Sequence, residues 1–183
     1  MNSLEVKKYP DSCLRIKTRP VEDFDKDLSE TVAAMADLMY VSQGIGLAAT
    51  QVGLGLSILV MDPGDGLAVL ANPRITERSS KKTRLEEGCL SVPGITVSVN
   101  RPEEVKVRYQ DERGEFFLKT FTGLAAKVVQ HEMDHLAGTL IIDHMDPVSR
   151  FFVSRKLRKN GFKTEKRTCE VVCNAGKRHS DRT

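Results

Sequence analysis

Two histidines four residues apart, His131 and His135, lie in the stretch VVQHEMDHLAG. Residues with this spacing share one face of an α-helix, so both imidazoles can bind one metal ion. Glu132 follows the first histidine, and a carboxylate at this place in an H-E-x-x-H pattern suits a general base for a metal-activated water. The pattern therefore predicts a catalytic metal site, which needs three protein ligands and one open position.

The third ligand is not supplied by this stretch. The extended pattern H-E-x-x-H-x-x-G-x-x-H requires a histidine at position 141, where the chain has Ile141. A metalloendopeptidase would instead take Glu165, Glu170 or His144. The preferred candidate is Cys89 in EEGCLSVPG, because a reduced thiol binds metal and the glycine and proline around it allow an unusual backbone path.

A glycine-containing stretch, GIGLAATQ, ends at Gln51. It does not complete a phosphate-binding G-x-G-x-x-G pattern, because position 49 is Ala49. A strand edge lined by glycine, to which an extended peptide adds main-chain hydrogen bonds, is the simpler interpretation. The Gln51 carboxamide can donate to a developing oxyanion, and Glu87 can orient a ligand or hold an arginine.

Composition places these motifs in one soluble domain. The 183 residues are 40% hydrophobic and 29% charged, and no apolar run approaches the roughly 20 residues that cross a bilayer. The N-terminal stretch has no apolar core of a signal peptide, which predicts a cytoplasmic protein with four reduced cysteines. Residues 150–183 hold 11 Lys+Arg against 3 Asp+Glu. We therefore expect a catalytic domain over residues 1–160 and a basic tail over residues 161–183.

The elements that position the motifs follow from apolar periodicity. The pattern predicts an α+β fold with mainly antiparallel sheets around a central metal-binding helix, followed by a C-terminal helix. The predicted helices cover LSETVAAMADLMYVSQ with Ser29 as N-cap, Thr122 to Gly138, and Asp146 to Gly161. The predicted strands are Leu56 to Met61, LAVLANPRI ending at Asn72-Pro73, and a hairpin around a turn at Asp111 to Gly114.

Three segments together resemble the peptide deformylase family. They are GIGLAATQ (44–51), EGCLS (87–91) and QHEMDHLAG (130–138), in the order and approximate spacing of the family. The likeness covers roughly residues 4 to 160. Many bacterial members carry a basic residue near the position of Thr96 that helps to hold the substrate peptide, and this chain lacks it.

The resemblance implies a metal ion held by Cys89, His131 and His135. The cation expected in the cell is Fe(II), although Zn, Ni or Co also suit a thiolate with two imidazoles. The implied substrate is a nascent peptide that begins with N-formylmethionine, and the products are formate and a free amino terminus. Glu132 would move the protons, while the Gln51 amide and the Leu90 backbone N–H would donate to the formyl oxygen.

The resemblance also implies a methionine-sized pocket beside the metal. Gly46 would align the peptide backbone, and Ile45, Leu124, Val128 and His131 would line the pocket. The two alternatives are a metalloendopeptidase and a non-catalytic protein with a structural metal. A structural site normally has four protein ligands and no need of a carboxylate such as Glu132.

The partners expected beyond the substrate peptide do not include DNA or a membrane. The C-terminal helix is predicted to pack on the domain through Val148, Phe151 and Phe152. That packing would leave a basic ridge in solvent, which is suited to the phosphate lattice of the ribosome. The ridge consists of Arg155, Lys156, Arg158 and Lys159 and continues with Lys163, Lys166 and Arg167.

Overall fold

A computed structural model describes residues 4–159 of the chain. In this range, α1 is Lys26–Val41, α2 is Gly123–Leu136 and α3 is Pro147–Lys159, with short 3-10 helices at Ser12–Arg15, Ala49–Val52 and Ile141–His144. The strands are β1 (Gly46–Ala48), β2 (Ile58–Met61), β3 (Ala68–Arg78), β4 (Lys82–Gly88), β5 (Thr96–Pro102), β6 (Glu104–Gln110) and β7 (Phe116–Thr122). None of the helices described is long and apolar enough to cross a membrane.

The strands form two antiparallel sheets. One has five strands in the order β1-β2-β3-β6-β7, and the other consists of β4 and β5. Alternate residues of β2 point to opposite faces, so that Ile58 and Val60 pack under α1 while Leu59 and Met61 pack under α2. Helix α2 also contacts β5, so it lies between the two sheets. The predicted α+β class with a central helix is confirmed.

Helix α1 begins earlier than its periodicity indicates. Its N-cap is Asp25, whose carboxylate accepts a hydrogen bond from Leu28 N–H at 2.9 Å, and not Ser29. The cap satisfies one of the free N–H groups of the first turn. The buried side chains of Val32, Met35 and Met39 then fall on one face of the helix against the larger sheet.

Strand β3 does not end at Asn72-Pro73, so that expected boundary is wrong. The strand runs to Arg78 through a bulge between Ala71 and Arg74. At the bulge Asn72 has a φ of +52°, a conformation that asparagine tolerates better than most residues. Its side chain bonds to both the N–H and the carbonyl of Val21, at 2.8 and 2.9 Å, and this keeps the chain in the sheet.

The hairpin around residues 111–114 is confirmed for β6 and β7. Asp111 N–H donates to the Glu115 carbonyl at 3.0 Å, and the Asp111 carboxylate accepts from the N–H groups of Arg113 and Glu115. The alternating stretch before them belongs to the second sheet, because β5 pairs with β4 along its whole length. Strand β4 carries Glu87 at its end, so this pairing brings the cysteine motif towards α2.

The face through which α3 packs differs from the expected one. Val148, Phe151 and Phe152 are 66%, 60% and 63% exposed, so they do not pack on the domain. The helix is anchored instead by Leu157 and Val153, four residues apart, in a core cluster with the second sheet. The helix is therefore rotated about its own axis, so that Leu157 and Val153 face the domain and the two phenylalanines face solvent.

Two cysteines in the described range differ in state. Cys89 is a half-buried free thiol, whereas Cys13 is buried and disulfide-bonded. The expectation of four reduced cysteines is thus wrong for Cys13. That expectation rested on the lack of a signal peptide, which indicates a reducing compartment but does not show which cysteines lie close together in the fold.

Candidate metal centre and active site

Helix α2 and the loop after β4 bring the three predicted metal ligands together. The ligand atoms of Cys89, His131 and His135 all lie within 4.8 Å of one another. Cys89 Sγ is 3.2 Å from His135 Nε2, and the two imidazole rings are 5.0 Å apart. A thiolate and two imidazoles on three sides of a small space are a donor set that suits zinc and the first-row transition metals.

The alternative third ligands do not join this group within residues 4–159. Ile141 is buried in the core around the second sheet, and His144 pairs with Asp134 at 2.9 Å. Glu165 and Glu170 lie outside the described residues. In the described part of the chain, Cys89 is therefore the residue that completes a three-ligand cluster with the histidine pair.

An ion-pair chain holds the outer side of His131. Glu87 Oε2 lies 2.9 Å from His131 Nδ1, and Glu87 accepts two hydrogen bonds from Arg101 at 2.6 and 3.0 Å. Arg101 in turn pairs with Asp134 at 2.9 Å. A carboxylate on the outer nitrogen fixes the orientation of a histidine ligand and leaves its other nitrogen for the metal.

The charges around the cluster favour a bound cation. Burial alone would raise the pKa of Glu87, but hydrogen bonds from His131 and Arg101 outweigh it and lower that pKa to about 2. Burial opposes a charge on His131, yet its contacts with Cys89 and Glu87 raise its pKa to about 10. Burial and the nearby His131 lower the pKa of His135 well below its usual value. The ionised Glu87 carboxylate and the Cys89 sulfur thus favour positive charge at this place, and a bound metal cation would supply it.

Glu132 lies inside the protein next to the cluster and is not one of the three clustered donors. The side chain is 4% exposed, and its Oε2 atom has no hydrogen-bond partner among the described residues. Burial raises the pKa of this carboxyl group to about 7. A carboxyl group that exchanges protons near neutral pH is suited to general acid–base chemistry.

Gly46 leaves the space that Glu132 occupies. A Cβ atom at this position would lie 2.4 Å from Glu132 Oε1 and 2.9 Å from Val128 Cγ1. Val128 belongs to the hydrophobic core between α2 and the larger sheet and Glu132 is buried, so a side chain at position 46 would force the Glu132 carboxylate out of its place. A glycine in β1 is thus required by the approach of the carboxylate and not by its own φ angle.

Replacing Gly46 with alanine should displace the Glu132 carboxylate and lower kcat by about 10²-fold, the usual effect of a shift of about 1 Å in a catalytic group. Metal content should not change. Steady-state kinetics and metal analysis of the purified variant measure both quantities. Gly55→Ala is the matched control, since its Cβ would meet only Ile16 Cδ1 at 3.5 Å. Equal kcat values for the two variants would refute the assigned role of this contact.

Gln51 is oriented by its neighbours so that its amide nitrogen faces the cluster. Its Oε1 accepts a hydrogen bond from Ala48 N–H at 2.8 Å. Its Nε2 donates to Ser91 Oγ at 3.2 Å and lies 3.7 Å from Cys89 Sγ. A buried amide with a fixed donor is suited to an electron-rich oxygen that forms at this position.

A pocket of about 420 Å³ opens beside these groups, between β1 and β4. Ile45 and Leu124 are 45% and 48% exposed at its wall, and Val128 is buried beneath them. The wall includes every candidate substrate-binding and catalytic residue of the sequence analysis, namely Ile45, Gly46, Gln51, Leu90, Leu124, Val128 and Glu132, together with Cys89 and His131. His135 lies behind this wall and is 1% exposed.

Sequence reasoning missed three polar residues that support the site. Arg101 holds Glu87, Ser91 accepts from Gln51, and Lys127 Nζ donates to two main-chain carbonyls at 2.8 Å. The alternation of β5 contains a clue to the first, because Arg101 continues the inward-facing positions of Val97 and Val99. An arginine at a core-facing strand position needs a buried partner.

Comparisons with known proteins agree with this geometry. The model of the polypeptide deformylase family matches residues 3–151. A peptide deformylase of Thermotoga neapolitana is 45% identical over 152 residues, which are 83% of this chain and 93% of the relative. A crystal structure of a peptide deformylase from Legionella pneumophila superposes with a TM-score of 0.80 at 39% identity, over 86% of this chain and 94% of that chain. The crystal structure of Arabidopsis thaliana peptide deformylase 1B in complex with an inhibitor superposes with a TM-score of 0.80 at 41% identity. The match covers 86% of this chain and 91% of that chain.

The fold and the site thus define an enzyme of the hydrolase class. The chain belongs to the polypeptide deformylase family. Members of this family remove the formyl group from the amino terminus of peptides, which agrees with a pocket that holds acid–base and amide-donor groups side by side.

Proposed function

We propose that this protein is a metal-dependent hydrolase that removes the formyl group from N-formylmethionine at the start of nascent polypeptides. The observation that carries the proposal is the grouping of Cys89, His131 and His135 within 4.8 Å at a pocket that also holds buried Glu132. We assign the metal site to these three residues, with Fe(II) as the cation in the cell and Zn, Ni or Co as substitutes. We place the protein in the cytoplasm, where formylated chains emerge.

A metal ion held by Cys89, His131 and His135 would supply Lewis acidity at the formyl oxygen and would lower the pKa of the attacking water. The carboxylate of Glu132 accepts the proton of that water and then donates it to the leaving nitrogen of methionine. The Gln51 amide and the Leu90 backbone N–H donate to the formyl oxygen as negative charge develops on it. Formate and a free amino terminus are the products.

The substrate is proposed to bind as an extended strand between β1 and β4. β1 is an end strand of the larger sheet, and residues of both strands line the pocket. The backbone of Gly46 lies in the pocket wall, where it can align the peptide, while Ile45, Leu124 and Val128 offer an apolar wall for the methionine side chain. Main-chain bonds then give affinity, and the apolar wall gives preference for the first residue.

Replacing Gln51 with leucine should lower kcat by about 10²-fold with little change in KM or metal content, the usual cost of losing one oxyanion donor. Gln51→Glu keeps an acceptor for Ala48 N–H but replaces the donor with a carboxylate oxygen, whose negative charge opposes the oxyanion, so its kcat should fall at least as far. Steady-state kinetics with a formyl-Met peptide measure the effect. A normal kcat with a raised KM in both variants would make Gln51 a ground-state binding residue.

Incubation with a formyl-Met tripeptide and, separately, with casein tests the proposed reaction. Formate should be released from the tripeptide, while its peptide bonds and those of casein remain intact. Cleavage of casein without formate release would favour a metalloendopeptidase. Bound metal with neither activity would indicate a structural metal site.

A second part of the proposal concerns the C-terminal region. We propose that residues 1–160 form the catalytic domain and that residues 161–183 are a basic tail that continues the ridge on α3. Arg155, Lys156 and Lys159 are exposed on α3, which supports a role in binding phosphate-rich surfaces such as the ribosome. Arg158 is also exposed, but it contacts Tyr9 and so has a structural partner.

Reversing the charge of Arg155, Lys156 and Lys159 to glutamate should weaken co-sedimentation with ribosomes at low salt. Because the contacts are to phosphates, the salt dependence of binding should also become shallower. The activity on a short formyl-Met peptide should not change, since these residues lie outside the pocket. Arg84→Glu, Lys106→Glu and Arg108→Glu together form a control of equal charge change. Equal loss in both variants, or no loss in either, would refute a specific role for the ridge.

A further inference from the structure

Strand β7 is an edge strand with an unusually apolar outer surface. In the described part of the chain it pairs with β6 on one side and has no strand on the other. Phe116, Phe117 and Leu118 are 70%, 45% and 58% exposed. The pairing of β7 with β6 runs without a bulge from the Thr122–Glu104 pair to the Phe116–Gln110 pair, and no proline interrupts β7. An apolar edge strand that no bulge or proline interrupts remains available for pairing with another strand.

The hydrogen-bond pattern fixes which backbone groups of β7 face outwards. Asp111 N–H donates to the Glu115 carbonyl, and Gly123 N–H donates to the Glu103 carbonyl, so odd-numbered residues of β7 bond to β6. Bonding groups alternate along an antiparallel strand. The free N–H and carbonyl groups therefore belong to the even-numbered residues, which are Phe116, Leu118, Thr120 and Thr122.

The side chains of the strand add charges of both signs. Glu115 and Lys119 lie on either side of Phe117, and neither forms an ion pair within residues 4–159. Lys119 Nζ lies 5.2 Å from the ring centroid of Phe121, which keeps it at this edge. A partner strand therefore needs apolar residues in its middle, flanked by a positive charge at one end and a negative charge at the other.

A second copy of β7 meets these requirements in one antiparallel register. When Phe117 lies opposite Phe117 of the second copy, Phe116 lies opposite Leu118 and Glu115 lies opposite Lys119, twice over by symmetry. In this register the outward N–H and carbonyl groups of Phe116 bond to those of Leu118 in the second copy, which agrees with the even-numbered residues having free backbone groups. Moving the centre of symmetry to residue 116 or 118 loses the pairing of Glu115 with Lys119, and centring it on residue 119 places two lysines opposite each other.

We propose that this protein forms a two-fold symmetric dimer by antiparallel pairing of β7 with β7 of a second copy, centred on Phe117. The two larger sheets then join into one ten-stranded sheet. The contact is self-complementary, as a two-fold interface must be. The strand leads directly into α2, so the interface lies close in sequence to Leu124 in the pocket wall.

Sedimentation equilibrium of the full chain over a range of concentrations tests the pairing and its register. The wild type should show a reversible monomer–dimer equilibrium. Glu115→Lys and Lys119→Glu should each weaken it by at least about 10-fold, since each places two like-charged pairs across the contact. Their equimolar mixture, and the double variant E115K/K119E, should regain the wild-type affinity, because both restore two opposite-charge pairs. Leu118→Lys should abolish the dimer.

Cysteine pairs provide a second test that does not depend on affinity. The α-carbons of residues 115 and 119 should lie about 4.5 Å apart across the dimer, within the range of a disulfide. Under mild oxidation a mixture of Glu115→Cys and Lys119→Cys should form a covalent dimer beyond the wild-type background. Glu115→Cys mixed with Thr120→Cys should not.

Two results would overturn the proposal. The first is a monomer at every concentration, which would leave this edge to solvent or to another segment of the chain. The second is a dimer that responds to none of the charge variants and forms no 115–119 disulfide.

Discussion

Glu132→Gln should bind one equivalent of metal as the wild type does, while kcat on a formyl-Met peptide falls by about 10²- to 10⁴-fold, the usual contribution of a general acid–base group. The amide is close in size to the carboxyl group and fits the space opposite Gly46. It cannot accept a proton from the attacking water. Because Glu132 is not one of the three clustered donors, its loss should leave metal binding intact.

The control for this variant is Glu86→Gln, which changes an exposed carboxylate that also lines the pocket. Its kcat should stay within about threefold of the wild type, because surface changes away from buried partners have small effects. Metal analysis by atomic absorption and single-turnover kinetics separate binding from chemistry. An empty Glu132→Gln protein would make Glu132 a metal ligand. A fully active one would leave the proton transfers to another group.

Cys89→Ala should lower metal affinity by more than about 100-fold. Even the loss of a group that only orients a ligand costs 10- to 100-fold, and Cys89 is proposed to bind the metal directly. His131 and His135 alone then leave two protein ligands, which is fewer than a catalytic site requires. Competition with a chelator at fixed pH measures the affinity, and circular dichroism shows whether the fold is kept.

Cys169→Ala and Cys173→Ala are the matched controls, since each removes a cysteine that lies outside all three motifs. Their metal affinity should equal that of the wild type. Unchanged affinity in Cys89→Ala would exclude the thiolate as a ligand. It would then direct the search for a third ligand to His144, Glu165 and Glu170.

The parts of the site that lie close together in sequence could be predicted, because local spacing decides them. His131, Glu132 and His135 lie within two turns of one helix, and helical geometry alone places the two histidines on one face. The turn from β6 to β7 also follows from local chemistry, since the Asp111 carboxylate caps the N–H groups that follow it. Spacing does not place Cys89 near this helix; it was preferred as a reduced thiol in a stretch with unusual backbone freedom, and the family resemblance implied the same residue.

The remaining features depend on contacts between distant segments. The partner of Glu87 is Arg101, and it is set by the pairing of β4 with β5. The hydrophobic pattern of β5 predicts a strand but not its neighbour, so its pairing with β4 was not predicted. The predicted packing face of α3 was wrong for a related reason. Burial of Leu157 depends on the cavity offered by the second sheet, whereas aromatic content alone pointed to Phe151 and Phe152.

Titration of the metal-stripped protein with Co(II), followed by absorbance and formate release in the same samples, tests the central claim most directly. A thiolate-to-metal absorption band and the rate of formate release from a formyl-Met peptide should rise together and level off at one equivalent. Cys89→Ala should show neither. Full formate release from the metal-stripped protein, or one bound equivalent of active Co(II) without a thiolate band, would contradict a catalytic metal held by Cys89, His131 and His135.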